Sequence, residues 1–494
     1  MNNKCDSLNK KNIILFGVSV LFILVLFIID KSNIANYIFA LINLAIIYKF
    51  FNTSFRKVFY YITLLFAIMS MTLGIHLKDY IGIDEQINLY YIYLLGYMII
   101  WFVNLIKSLK EHKKIKLDYI NVLAIIFAIY TFISFIFAQD KKLAIVELLY
   151  YGVMFSLVIM IINENKSKLE LKETLKFLGV VSIAILLMGT FKIVSGIQIE
   201  PNSVYLKPGM TMSSMYEPYN RIPTLFFYNP NNFSLVVVLI LVGFSILLVS
   251  NTKYNKWIIG IVIYLAELNI VFSRSRTAWI ASGVIFIFLA IVLLMKKQWK
   301  KTIIILIPLI LFPITFKSAE VIENSKFLYE KLNELDNNIS YEDGQIIEGT
   351  NISIGSNGSI NVRATLYIDI LQGVFKEKNY LGFGAGNINE YIRSRDNTHG
   401  RYDPHCWWLE ILGDFGIIGF VSFALCYFII AFRCFFRFLS NKSLQYISLL
   451  MLGLLAATFI LVFSPSSVLR ITPFWFIIGM AIAVSNLIRE EKAN

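Results

Sequence analysis

Charge is scarce in this chain: of 494 residues only 16% are Asp, Glu, Lys or Arg, while 57% are apolar. A soluble domain of that length needs more polar surface, so composition alone points to a polytopic α-helical membrane protein. Cysteine is scarcer still, four residues with no metal-binding or dithiol spacing. That removes a zinc site and disulfide exchange from consideration. No Asp-x-Asp pair is present to hold a magnesium-bound sugar nucleotide, and no internal repeat or soluble cytoplasmic segment capable of binding a nucleotide is visible. A cleavable leader is not expected, because the first apolar run is followed by Asp30 and Lys31 rather than by small residues.

Long apolar runs are abundant instead. They fall at about 13–29, 34–50, 57–75, 87–106, 118–137, 143–163 and 174–195, then 231–250, 256–272, 276–295 and 302–316, and last 405–432, 445–463 and 471–488. The expected fold is all-α, with about 12–14 transmembrane helices and a long extracytoplasmic loop. It divides into N-terminal helices (1–195), central helices with arginine motifs (196–316), the loop (317–404) and C-terminal helices (405–494). Within the loop, Ser318 to Leu335 reads as helical, Asp336 to Asn361 as an Asn/Gly/Ser-rich stretch, and Arg363 to Phe375 as an amphipathic helix.

The formal net charge of +13 raises the question of nucleic acid. Its distribution answers it. Basic residues recur at every second connection (Arg56 and Lys57; Lys107 to Lys116; Lys296 to Lys301; Arg433, Arg437 and Lys442), while Asp30, Asp79, Asp84 and Asp140 lie in those between. This is the positive-inside pattern, so no nucleic acid is expected as a partner, both termini should be cytoplasmic, and the connections 196–230 and 317–404 should lie outside. The seven Trp, mostly near predicted helix ends, read as interfacial belts.

Charges inside the apolar runs are few and shallow. Glu147, Lys192, Glu267, Glu410 and Asp414 all lie near the outer ends and none at the expected midplane. That favours a surface site over a transport path. Three outer helix starts then stand out. One has Arg221 followed by Asn229, Pro230 and Asn231, a cap and a helix-starting proline; another has Ser273, Arg274, Ser275, Arg276 and Thr277. The third is Arg401 to Phe420, where Asp403 reads as the N-cap, Pro404 as the first helical residue and His405 as part of the first turn, held neutral by the helix dipole and able to accept a proton. Arg221, Arg274 and Arg276 suit a multiply charged phosphate ester, with Asn229, Asn231, Trp408 and Glu410 as further substrate-binding residues. Gly413, Gly416 and Gly419 form a stripe for the close approach of a neighbouring helix.

Gly382, Gly384 and Gly386 read as a tight turn rather than a nucleotide loop. His399, Asp403 and His405 match no common zinc spacing, and no metal or other cofactor is expected. Cys406, beside His405, reads as a small interfacial residue rather than a thiol nucleophile.

With these residues in view, the chain resembles the O-antigen ligase and O-antigen polymerase-like membrane glycosyltransferases. The resemblance rests on Arg221 with Asn229 to Asn231, on Ser275 to Ala278, on the glycine turn, and on the helix of His405, Leu409, Glu410 and Gly416 after a long outer loop. It implies a GT-C-like enzyme of the bacterial cytoplasmic membrane, working at the outer face without metal. An undecaprenyl-pyrophosphate-linked glycan would be the donor and a glycan or lipid the acceptor, with membrane lipids and other polysaccharide export proteins as further partners. His405 would be the general base, and Arg221 and Arg276 would hold the pyrophosphate. Richness in Ile, Lys and Asn tilts the reading toward a polymerase rather than a ligase. A lipid-linked glycan flippase is the rival from another class, and would need midplane charges and a repeated half.

Overall fold

The computed structural model describes residues 55–68, 74–76, 86–111, 119–197, 221–323, 345–346, 352–440, 443–465 and 467–493. The runs expected at 13–29 and 34–50 lie outside the described residues, as do most of the connection 196–230 and the Asn/Gly/Ser-rich stretch. Each run from 57 onward holds a helix among the described residues, although the run expected at 57–75 is described as helix only to Ile68 and reaches a strand at Gly74. In chain order the elements are α1 (Phe55–Ile68), a ribbon of β1 (Gly74–His76) and β2 (Gln86–Asn88), α2 (Leu89–Lys110), α3 (Tyr119–Ile133), α4 (Lys141–Glu164) and α5 (Lys168–Ser195). The central set is α6 (Pro230–Val249), α7 (Lys256–Phe272), α8 (Arg276–Met295), α9 (Trp299–Ile305) and α10 (Ile307–Glu323). After a second ribbon, β3 (Gln345–Ile346) with β4 (Ser353–Ile354), come α11 (Ser359–Leu371), α12 (Ile388–Arg395), α13 (Trp407–Leu439), α14 (Gln445–Leu461) and α15 (Thr472–Ala493).

Local chemistry sets several of these boundaries. Asp140 accepts from the amides of Lys142 and Leu143 at the start of α4, and Ser167 pairs with Glu170 in a capping box at the start of α5. Gly196, at φ 69°, ends α5 in the left-handed conformation. The protein is an all-α polytopic membrane protein: among the described residues nine helices are long and apolar enough to cross a bilayer, α14 being shorter.

Within the bundle α6 packs on α7 and α14, α3 on α13, α4 on α15, and α7 on α5 and α10. One continuous apolar core runs through these contacts. A smaller core lies in the connection before α13, where Val362, Leu366 and Ile370 of α11 and Ile388 and Ile392 of α12 close over Leu412. The segment 352–406 is thus a folded cap seated on the first turns of α13. The helix expected from Arg363 to Phe375 is longer, running from Ser359 through a π turn at Gln372–Lys376.

Two expectations are corrected. Trp407, Trp408 and Trp475 are buried and pack among other aromatic rings inside the bundle, whereas Trp257 and Trp299 are exposed at helix starts as an interfacial belt requires. Of the glycine stripe, Gly416 receives a turn of the cap, while Gly413 faces Ile388 at the start of α12 and Gly419 faces Tyr130 of α3. Gly416 has φ 60° and kinks α13, so Ile417 N donates to Tyr380 O (2.9 Å), while Phe383 N and Gly384 N donate to Gly413 O and Asp414 O (both 2.9 Å). Backbone bonds that an unbroken helix would keep to itself go to the turn instead. The expected tight turn at Gly382, Gly384 and Gly386 is present, all three at positive φ.

Candidate active site

The three helix starts share one local device. At α6, α8 and α13 the residue two places before the first helical residue has positive φ: Tyr228 (60°), Arg274 (57°) and His405 (51°). None is glycine, so each turn holds a strained residue of the kind that concentrates at functional sites. At α6 the sequence accounts for the start, since Asn229 accepts from Asn231 N at 2.8 Å and Pro230 opens the helix.

At α13 the expected start is corrected. The helix begins at Trp407 with Cys406 as N-cap, and Asp403 and Pro404 lie in the irregular chain before it. His405 is therefore not in the first turn. The cap holds it instead, with Tyr367 Oη of α11 donating to the His405 carbonyl at 3.3 Å. Its neutrality has a different cause from the helix dipole. Burial lowers the imidazole pKa, the Arg363 charge lowers it further, and Asp403 and the Ser464 backbone oppose this. His405 Nδ1 has no hydrogen-bond partner.

Two arginines act on this imidazole, and a third acts on one of the two. Arg276 opens α8, Arg363 lies in the first turns of α11, and Arg401 precedes His405 in the chain; Arg363 feels the charges of both other arginines, and His405 feels those of Arg363 and Arg401. Burial and this crowding lower the Arg363 pKa, with Tyr367 acting against them, but a guanidinium stays charged. Arg276 and Arg401 are exposed, Arg363 half-buried. Such a group, open on one side, can bind a polyanion bidentately while leaving the imidazole neutral.

The other expected residues have contacts of their own. Arg221 donates from Nη1 to the carbonyls of Ile193 (2.5 Å) and Val194 (2.8 Å), at the carboxyl end of α5. Arg274 occupies the strained turn before α8. Trp408 stands among Phe423, Tyr427, Phe428 and Phe459, which assigns it to packing. Glu410 is buried beneath the site and accepts from Ser467 Oγ at 2.7 Å. Cys406 is 1% exposed, and burial pushes its thiol up to about 11, which leaves it protonated and sequestered.

Sequence reasoning missed Arg363, Arg401, Tyr367 and the connection between α14 and α15. Arg401 stands four residues from His405, a proximity that could have flagged it. Arg363 and the connection carry no local signal, because they reach the site only through the folding of the cap and the packing of α14 and α15. Along that connection Val462 O accepts from Trp407 N at 3.3 Å, and Arg470 meets Glu147 at 3.4 Å.

Residues 259–424 match the family model described as O-antigen ligase. No curated protein matches the chain. The matched stretch runs from α7 into α13 and contains Arg276, Arg363, Arg401 and His405, while Arg221 and the α14–α15 connection fall outside it. This segment, less than half of the chain, is what resembles the O-antigen ligases, and the chain that carries it is a multi-pass membrane protein.

Proposed function

We propose that this protein polymerises lipid-linked oligosaccharides at the outer face of the bacterial cytoplasmic membrane, transferring a glycan from an undecaprenyl pyrophosphate carrier to the hydroxyl of another carrier-linked unit. The observation that supports this reading is that Arg363 and Arg401 act on a half-buried His405 whose pKa burial lowers, with Arg276 acting in turn on Arg363. His405 takes the proton of the acceptor hydroxyl, whose oxygen forms a bond to the anomeric carbon as the bond from that carbon to the pyrophosphate oxygen breaks. The electron pair leaves with the pyrophosphate, and the arginines stabilise the charge that develops there. In-line displacement inverts the anomeric centre. No step in this scheme requires a metal ion.

The outer location follows from the positive-inside pattern, since the site lies at the end of α13 opposite Arg433 and Arg437. A second reading, ligation of the glycan to lipid A core or another surface acceptor, is favoured by the description of the matched family. One assay separates the two. Purified protein is given a synthetic undecaprenyl pyrophosphate oligosaccharide in the presence of EDTA, and wild type is compared with His405→Ala and Arg276→Ala. Longer carrier-linked chains, abolished by both substitutions, are the expected result. Release of carrier only when a separate acceptor is added would replace polymerase by ligase, and no release under any condition would defeat both.

A further inference from the structure

The kink at Gly416 also marks a height in the bilayer. From Gly416 to Arg437, α13 is about 32 Å long, which matches a hydrocarbon core of about 30 Å. With the Arg433 and Arg437 end at the inner boundary, the outer boundary falls at the kink. The cap touches the spans at that height through the chain that follows its π turn. Ile417 N donates to Tyr380 O at 2.9 Å, and Tyr130 Oη of α3 donates to Leu381 O at 3.0 Å.

This edge of the cap presents large apolar side chains outward. Phe375, Tyr380 and Leu381 are 50%, 45% and 46% exposed. The spans it touches expose the same kind of surface, with Ile129, Phe132 and Ile136 along α3 and Ile418 and Val421 on α13. Those rows lie on apolar helices of membrane-spanning length. The edge therefore continues a surface that the bilayer covers, and such a patch marks an interaction site.

Its charges are arranged to suit. Glu377 turns toward the cap, where it accepts from Tyr391 Oη at 2.8 Å and pairs with Arg395 at 3.3 Å. Lys376 and Lys378, on either side of it, are exposed. Lysine stems lie along apolar surface while their ammonium groups reach the headgroups, and a tyrosine suits the same depth. A soluble protein partner would need the patch to stand clear of the bilayer, and both the height of Gly416 and the tie to Tyr130 argue against that.

We propose that the edge of the cap from Gln372 to Leu381 is seated in the outer leaflet, with Phe375, Tyr380 and Leu381 in the membrane interface and Lys376 and Lys378 against lipid phosphates. Arg363 and Tyr367 lie on α11, which runs directly into this edge, so the leaflet sets the height at which they stand. The seating rests on the membrane fold and does not depend on the glycan-transfer reading.

The test is the accessibility of nitroxide labels on full-length protein in phosphatidylglycerol proteoliposomes. Cys5→Ser leaves only the buried Cys406, Cys426 and Cys434 as native thiols. Labels at Phe375→Cys and Leu381→Cys are compared with one at Ile129→Cys on the lipid-facing row of α3 and one at Lys253→Cys in the connection between α6 and α7. Each replaces an exposed side chain, and size-exclusion chromatography checks the fold. The labels at Phe375→Cys and Leu381→Cys should be reached by oxygen and shielded from a water-soluble nickel chelate, as at Ile129→Cys. Nickel accessibility equal to that at Lys253→Cys overturns the proposal. Lys376→Gln together with Lys378→Gln should raise nickel accessibility at Phe375→Cys, and no rise overturns the role of the lysines. Spin–spin broadening at Phe375→Cys would show a second copy of the chain covering the edge and overturn the lipid assignment.

Discussion

Ser467 donates a 2.7 Å hydrogen bond to Oε1 of Glu410, which ties the connection between α14 and α15 to the first turn of the helix that follows His405. The other carboxylate oxygen, Oε2, is buried without a hydrogen-bond partner. Removing the Ser467 hydroxyl therefore strips a buried carboxylate of its remaining side-chain donor. Ser467→Ala should lower stability by about 1–3 kcal/mol, read as a lower melting temperature in detergent, with a parallel fall in turnover. An unchanged melting temperature would mean that the tie carries no weight.

Proton transfer to His405 requires the neutral ring, and burial with the Arg363 charge places its pKa below the usual imidazole range. Activity should accordingly stay level as pH falls through the ordinary histidine range and decline only in more acidic solution. Arg363→Gln removes a lowering influence, so the pKa rises and the acid limb of the pH–rate profile moves to higher pH. A profile whose acid limb stays in place in Arg363→Gln would separate the limb from His405.

The arginines divide into two groups that kinetics can tell apart. Arg363→Gln and Arg401→Gln should reduce turnover on the order of a hundredfold with the melting temperature little changed, as expected for lost stabilisation of a leaving anion. Arg221→Gln should do the reverse, because it frees the Ile193 and Val194 carbonyls at the end of α5. Equal turnover losses with unaltered stability for all three would return Arg221 to the donor site.

Glycine substitutions test the seating of the cap. A Cβ at Gly382 would stand 2.4 Å from Asp414 O, and one at Gly416 would stand 2.1 Å from Tyr380 O, both against backbone and both at positive φ. Gly382→Ala and Gly416→Ala should not give folded protein by size-exclusion chromatography. In α5, where a Cβ at Gly179 meets nothing within 4 Å, Gly179→Ala should raise stability by about 0.5–1 kcal/mol.

Cys406 should resist a maleimide reagent in the folded protein and react after denaturation, and Cys406→Ala should keep its activity. Rapid labelling of native protein would contradict the buried, protonated thiol.

Much of the architecture was legible because bilayer thickness writes itself into the sequence as apolar runs of fixed length, and the α6, α7 and α8 boundaries and the end of α5 fall close to the expected ones, while α5 starts earlier, at Lys168. His405 and Arg276 were legible because each stands beside a recognisable helix start. The α13 cap was misread, since Asp403 and Pro404 look like a start on paper, yet the turn through His405 delays the helix to Trp407. Arg363 could not be found locally. Its place beside His405 exists only once Val362, Leu366 and Ile370 have buried themselves over Leu412.

The kink at Gly416 has a consequence for how such a protein can diverge. The cap is fastened to α13 there through main-chain groups of Tyr380, Phe383 and Gly384 and through the Asp414 side chain, which accepts from Gly386 N and Ile388 N, so beyond Asp414 and the glycines the joint depends on spacing and backbone shape. Substitutions at the remaining residues of the joint should therefore be tolerated better than substitutions of Gly382 or Gly416 themselves.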